Sequence, residues 1–375
     1  MKVCFAYSLF GMGGIERSIQ LLTNQLEQNG ISTFVWARSS ETSFFDMQER
    51  LFGGVQEPSN LKKSIARVRK LSQISKYHQI HVTDFFGYFI DPLVSFIRSR
   101  EIDVLVCNDT NFISMIPYIK NRLPNVKIVA WTHVEVTKLI EDVSKAFYLH
   151  DYIIGLQTAD AVVVLNHTDK AVFSAFGVGS RIIHNGIILP TSKDVSLSDS
   201  NRIAFTARPD VAKGLEDLGQ LATQKEFKWH ISVAGFSKKE FNVMTHRRFD
   251  PALVSKNISF LGSIRGSKLK QHYQGASLVL SLSYFEGMSL ALLEGMSYGL
   301  IPISYGHAGA KEIMTGELAK LISPIHDFQG IQQSLDWLRQ NSSQSRILSK
   351  LARQRATEFT LQVFSNEWTN LLNGL

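Results

Sequence analysis

Two cysteines in 375 residues, Cys4 and Cys107, are too few for a disulfide scaffold. Both stand in apolar stretches that read as strands, which makes them buried thiols of a reducing compartment. Long hydrophobic runs are missing as well. The opening Met1-Lys-Val-Cys-Phe-Ala-Tyr is one short strand, without the longer apolar core of a signal peptide. The most membrane-like stretch, 80–97, is interrupted by Asp84 and Asp91 and does not read as a span. There is no Asp-x-Asp pair to clamp a metal on a diphosphate, and no zinc-finger or RNA-binding signature. That last absence matters, because 40 Lys and Arg against 33 Asp and Glu leave a net charge of +7. Such a charge suits nucleic acid, anionic lipid or phosphorylated partners. With no nucleic-acid motif, and no aromatics between the basic residues, nucleic acid is set aside.

What is present is alternation. Apolar strand patterns at 2–7, 32–37, 103–107, 127–131 and 161–165 are separated by helical periodicities. A polar stretch, 190–201, follows without periodicity. A second series then begins, with strands at 202–206, 230–234, 258–261 and 278–282. Strand-helix alternation predicts α/β domains with doubly wound parallel sheets and ligands at the carboxyl ends of the strands. The length and the 44% apolar content fit two such packed domains.

The most informative stretch runs from Tyr284 to Ser304 and holds Glu286 and Glu294, eight positions apart. The strand pattern 278–282 precedes it. Leu290, Leu293 and Met296 then mark a helix that Ser289 can cap and Gly299 can stop. Glu286 falls in the loop before this helix and Glu294 inside it. The helix start between them, Met288 to Leu290, favours a phosphate through its N–H groups and dipole. Two acceptors flanking an anion site suit a sugar nucleotide, one for sugar hydroxyls and one for the ribose diol. A solvated glutamate beside a capping one would satisfy the same spacing.

Other candidates also follow strand ends. Gly11-x-Gly13-Gly14 links the first strand to a helix, as in phosphate cradles, but it is not the dinucleotide Gly-x-Gly-x-x-Gly. His133 follows the strand 127–131, and Asn108-Asp109 follows 103–107. Arg208 and Lys213-Gly214 follow the first strand of the second series, where two cations can hold a diphosphate or simply face solvent. The stretch 61–76 carries Lys62, Lys63, Arg67, Arg69, Lys70 and Lys76 with no acid, and Leu61, Ile65 and Val68 on one helical face. It reads either as a solvated helix or as a surface for anionic lipid. Phe44, Phe45, Phe52, Phe85 and Phe86 flank it and suit either a membrane contact or the core.

The wording Glu286-Gly-Met-Ser-Leu-Ala-Leu-Leu-Glu294-Gly-Met-Ser-Tyr-Gly-Leu-Ile-Pro302 resembles the signature of the family-4 retaining glycosyltransferases. Ser289 stands where that family usually has Gly, and Gly295 where it has Ala. Gly13-Gly14-x-Glu16-Arg17, Asn185-Gly186, Arg208 with Lys213-Gly214, and Phe260-Leu-Gly-Ser-Ile264 resemble further family segments. The likeness is looser between 40 and 100, where acceptor recognition would lie. It implies the GT-B fold, two facing Rossmann-like domains with the nucleotide-sugar site in the cleft between them. The boundaries would be 1–189 for the acceptor domain, completed by a helix at 358–375, and 190–357 for the donor domain.

The resemblance implies a metal-independent, retaining hexosyltransferase, without cofactor, moving a sugar from a UDP-sugar to a glycan or lipid-linked acceptor in surface-polysaccharide synthesis. Arg208 and Lys213 would hold the diphosphate, Glu294 the ribose, and Glu286 and His133 the sugar. Gly13, Gly14, Ile264, Met288, Ser289 and Leu290 would line the donor site. The expected location is the cytoplasm, at the inner face of the membrane if 61–76 docks there. A non-catalytic GT-B partner subunit and a sugar-nucleotide epimerase are the alternatives.

Overall fold

The computed structural model describes residues 1–40, 45, 47, 49–55, 59–77, 80–133, 135–141, 148–191 and 200–375. Phe44 and linker residues 192–199 lie outside this set, as do the side chains of Leu61, Lys62, Lys63 and Phe86. The chain divides into two units. Unit 1 is Met1–Gly186 with Phe364–Leu375, and unit 2 is Ile187–Val363. Among the described residues no helix is long and apolar enough to cross a membrane.

Unit 1 contains strands β1 (Lys2–Phe10), β2 (Ser32–Ser40), β3 (Leu51–Gly53), β4 (Val104–Cys107), β5 (Lys127–Trp131), β6 (Ala161–Val164) and β7 (Arg181–Ile182). All pair in parallel, in the order β3-β2-β1-β4-β5-β6-β7. The strand order reverses between β1 and β4, the usual ligand crevice of an open α/β sheet. Both faces of the sheet are buried, as parallel sheets require. Cys4, Ala6, Leu105 and Cys107 face a core that includes Trp36, Phe89 and Phe112. Burial raises both thiols, which keeps them protonated. On the other face Phe5 and Trp131 meet Trp368, with ring centroids 6.3 and 4.8 Å from it. Trp368 lies in the last helix, Leu361–Asn373, whose buried face is Phe364, Trp368 and Leu372.

β1 and β2 outrun their sequence patterns, because Leu9 pairs with Ser39 and Phe10 with Ser40. Each strand extends the other, a cross-strand effect that local pattern does not carry. Phe52 is partly buried and packs against the core, its ring 5.1 Å from Phe96 and 6.0 Å from Phe34.

Unit 2 repeats the plan with β8 (Arg202–Thr206), β9 (His230–Ala234), β10 (Ile258–Phe260), β11 (Leu278–Ser281), β12 (Ile301–Tyr305) and β13 (Ile322–Ser323). The order is β10-β9-β8-β11-β12-β13, again all parallel, with its reversal between β8 and β11. β12 escapes a sequence reading because Pro302 argues against a central strand. The Ile301 N–H donates to Ser277 on the β11 side, so the Pro302 nitrogen faces the other way. There β13 pairs only with Ser304 and Tyr305. No ladder bond is lost.

Helix Leu290–Ser297 packs on β11 so closely that a Cβ on Gly295 would lie 2.6 Å from the Val279 Cβ. The glycine is thus matched to its neighbour. Gly295→Ala gains about 1 kcal/mol of helix propensity but overpacks the core, a cost of about 1–3 kcal/mol. We expect a lower melting temperature for Gly295→Ala, restored when Val279→Ala is added. Equal melting of the Gly295→Ala variant and the wild type would remove this account of the glycine.

Candidate active site

The reversal point of unit 2 brings the loops leaving β8 and β11 side by side. After β8, the Asp210 carboxylate accepts from the Ala212 N–H at 2.9 Å and starts a short turn, Val211–Lys213. Gly214 ends it at φ +68°, where a Cβ would lie 2.1 Å from the Leu282 carbonyl oxygen. Only glycine fits that approach. The Tyr284 N–H donates to the Ala212 carbonyl at 2.9 Å, tying the second loop to the first. The Asp217 carboxylate adds a latch, accepting from the hydroxyls of Tyr284 at 3.2 Å and Tyr305 at 3.0 Å.

This closure sets the Lys213 ammonium against the Glu286 carboxylate as a direct ion pair. Their side chains are 18% and 22% exposed. The Ser283 hydroxyl donates to the same Glu286 oxygen at 3.1 Å. Burial works to raise the Glu286 carboxyl, but the Lys213 charge and the two hydrogen bonds outweigh it and hold it below the ordinary value. Glu286 is therefore ionised at neutral pH, an acceptor rather than a proton donor.

Helix Leu290–Ser297 starts next to this pair. Ser289 caps it, accepting from the Leu292 N–H at 3.4 Å, and Met288 and Ser289 are buried. Glu294 sits inside the helix, where its carboxylate accepts from the Tyr273 hydroxyl at 3.2 Å. Ile264 is half-buried in the loop after β10. Arg208 is exposed and makes no hydrogen bond or ion pair with another described residue. Among the described residues no group of three or more His, Cys, Asp or Glu is gathered as a metal site requires.

Two contributors were not singled out from sequence, His307 and Gly309. The Gly309 N–H donates to the Glu286 carbonyl at 2.8 Å. The buried His307 ring accepts from the Ala310 N–H at 3.0 Å, with Ser304 and Ser281 hydroxyls at 3.3 and 3.4 Å from its other nitrogen. Burial pushes its pKa down to about 4, so the ring is neutral. Recognising β12 was the missing signal, because both residues follow its carboxyl end.

In unit 1, Gly13 precedes helix Gly14–Gln28 in extended conformation, and the buried Glu16 carboxylate accepts from the Gly11 N–H at 3.4 Å. Asp109 caps helix Thr110–Ser114 and also accepts from the Ser8 N–H at 2.6 Å. A cleft of about 340 Å³ opens here, lined by Tyr7, Ser8, Asp109, Thr110, Asn111 and Tyr148 among others. His133 follows β5, its ring 4.2 Å from Trp131. Burial pushes its pKa down to about 3, and it is neutral. The Asn108 amide donates to the Ala6 and Val106 carbonyls at 3.2 and 3.0 Å, which fixes its oxygen toward His133 Nε2 at 3.3 Å. Nε2 therefore carries the proton and Nδ1 the lone pair.

Two family models match in succession. Residues 12–189 match Glycosyltransferase Family 4, and residues 191–355 match Glycosyl transferases group 1. The chain belongs to the glycosyltransferases of the GT-B fold. An uncharacterized glycosyltransferase of Haemophilus influenzae is 20% identical over 382 residues, 98% of each chain. A Campylobacter jejuni α-1,4-N-acetyl-D-galactosaminyltransferase named for a diphospho-undecaprenol-linked glycan is 21% identical over 390 residues, 99% of this chain and 98% of its own. Among solved structures, sucrose-phosphate synthase from Thermosynechococcus elongatus matches at a TM-score of 0.78, 16% identity, and 100% and 98% coverage. HepE from Anabaena in complex with UDP matches at 0.74, 14% identity and full coverage of both chains.

The buried histidines of this glycosyltransferase make its stability pH-dependent. His307 has its folded pKa below the ordinary 6.5, so the unfolded chain takes up the proton first as pH falls. Its contribution is complete above about pH 6.5 and is lost toward pH 4. His307→Asn keeps a capping acceptor but does not titrate. We expect the wild type to lose more stability than this variant between those limits, by up to about 3 kcal/mol. Parallel acid slopes in urea titrations of the two proteins would contradict the assignment.

Proposed function

We propose that this glycosyltransferase moves a hexose from a UDP-sugar to a glycan or lipid-linked acceptor, with retention and without a metal. The observation that carries the reading is the Lys213–Glu286 pair set beside the Ser289-capped helix start, with Glu294 inside that helix. A diphosphate at the helix start takes Lys213 as counter-ion together with Arg208, whose guanidinium has no other described partner. The donor phosphate thus competes with Glu286 for the Lys213 ammonium. Glu286 keeps the Ser283 hydrogen bond and accepts from the sugar hydroxyls in place of the ammonium. Glu294, steadied by Tyr273, accepts from the ribose diol.

In the transfer step the acceptor oxygen bonds to the anomeric carbon as its bond to the diphosphate breaks. The acceptor proton goes to the departing phosphate oxygen on the same face. Charge building on that phosphate is met by Arg208, Lys213 and the helix start, fixed before the reaction begins. A double displacement would need two carboxylates on opposite faces of the sugar. A ribose-bound Glu294 is not one of them. In unit 1, His133 Nδ1 offers a neutral acceptor for a sugar hydroxyl. The complex of HepE with UDP-glucose and the polyprenyl-linked substrate in the Campylobacter enzyme's name support the donor and acceptor classes.

Calorimetry with UDP, beside kinetics with the sugar donor, separates the carboxylates. Glu294→Ala should weaken UDP about 5–150-fold, the cost of an unpaired buried polar group. Glu286→Ala frees Lys213 for the diphosphate, so UDP should bind more tightly. Transfer should nevertheless fall by about 100-fold or more. Weaker UDP binding by Glu286→Ala would reverse the two roles. Activity should also survive excess EDTA, and complete loss restored by Mg²⁺ or Mn²⁺ would refute the cation account.

A further inference from the structure

Helix Asn60–Tyr77 exposes the wrong residues for a solvated helix. Ile65, Val68 and Leu71 are 53, 69 and 68% exposed, and their three-residue spacing puts them on one face. The opposite face is the one that packs. Ala66, Lys70, Gln73 and Ile74 are half-buried, with the Lys70 ammonium 5.2 Å from the Tyr148 ring and Gln73 hydrogen-bonded to Asp84. At about 100° per residue, Arg67 borders the apolar stripe on one side, and Arg69 and Lys76 border it on the other. All three cations are exposed, and no acid lies between Leu61 and Lys76.

We infer that the outer face of helix Asn60–Tyr77 docks unit 1 on an anionic lipid bilayer, with Ile65, Val68 and Leu71 entering the headgroup boundary. An apolar stripe between cations is the pattern of a helix that lies in a membrane surface, and this helix does not cross one. A second copy of the chain is a poor occupant, because it would bring Arg67, Arg69 and Lys76 against their own kind. Nucleic acid leaves the three aliphatic side chains without a counterpart and finds no aromatic on this face to stack on. The inner face of the same helix reaches Tyr148, which lines the 340 Å³ cleft, so docking would hold that cleft near the headgroups. Its use for a lipid-linked acceptor rests on the proposed transfer. The docking itself does not.

The test is co-sedimentation of the full chain with phosphatidylglycerol-containing vesicles and with purely zwitterionic vesicles. The protein should pellet with the anionic vesicles only, and less as salt is raised. Replacing Arg67, Arg69 and Lys76 by Ser should weaken anionic-vesicle binding on the order of 100-fold, given the usual gain per basic residue near such a surface. Replacing Ile65, Val68 and Leu71 by Ser should remove the part of the binding that resists salt. Melting temperatures and UDP affinity should stay at wild-type values in both variants, which separates this inference from the transfer reading. As an independent probe, Val68→Trp should shift its added emission to the blue on anionic vesicles. Binding unchanged in both triple variants, equal binding to zwitterionic vesicles, or unshifted emission from the Val68→Trp variant in pelleted protein would each overturn the inference. So would concentration-dependent dimerisation that the apolar variant abolishes.

Discussion

The candidate donor site depends on one ion pair, Lys213 with Glu286. Neither residue is close to the other in sequence, and each sits on a loop leaving a different strand. What brings them together is backbone geometry at the reversal point of the second sheet. Gly214 lies against the Leu282 carbonyl, Tyr284 donates to Ala212, and Gly309, in the first turn of helix Ala308–Ile313, holds the Glu286 carbonyl. Asp217 joins the same loops through two tyrosine hydroxyls. A partly buried carboxylate keeps its charge only with such a partner, and the partner is a cation that a diphosphate also attracts. The proposed exchange of this pair for a donor diphosphate would use the same two groups.

Unit 1 applies the same sheet plan to different chemistry. Its polar groups at the strand ends, Asn108, Asp109 and His133, are held by hydrogen bonds and burial rather than by ion pairs. His133 leans on Trp131, and Trp131 on Trp368 from the far end of the chain. Ordering of the candidate histidine is thereby coupled to the docking of the last helix. Removing that helix would uncover Phe5 and Trp131 and weaken one of the two supports of the histidine, the other being Asn108. The basic charge of the chain is unevenly placed as well. Helix Asn60–Tyr77 concentrates cations around side chains that the core of unit 1 does not take up.

Local pattern was enough for much of this. Period-2 and period-3.6 runs, with glycine and polar breaks between them, specify two α/β domains and place Glu286, Arg208, Lys213 and His133 beside strand ends, with Glu294 inside a helix. The Ser289 cap and the helix behind it were legible because capping is decided within four residues. The glycines of the first loop were legible for the same reason. Other features were not. β12 hides behind Pro302, whose missing N–H matters only once β13 is known to stop short of it. His307 and Gly309 were hidden with it. The direction of the apolar face of Asn60–Tyr77 was equally out of reach, since periodicity shows that a face exists and not whether the core or the solvent receives it.

By itself, then, the sequence determined the domain class, the order of most of the elements and which chemical groups stand at the ends of the strands it revealed. Those are consequences of bonds and sterics between near neighbours. Only the tertiary structure decided that Lys213 meets Glu286, that Tyr273 steadies Glu294, and that His133 is neutral with its proton on Nε2. It also decided that Ile65, Val68 and Leu71 face outward. Each of these is a matter of distance or burial between groups far apart along the chain, which the closing of the parallel sheets sets and local periodicity does not.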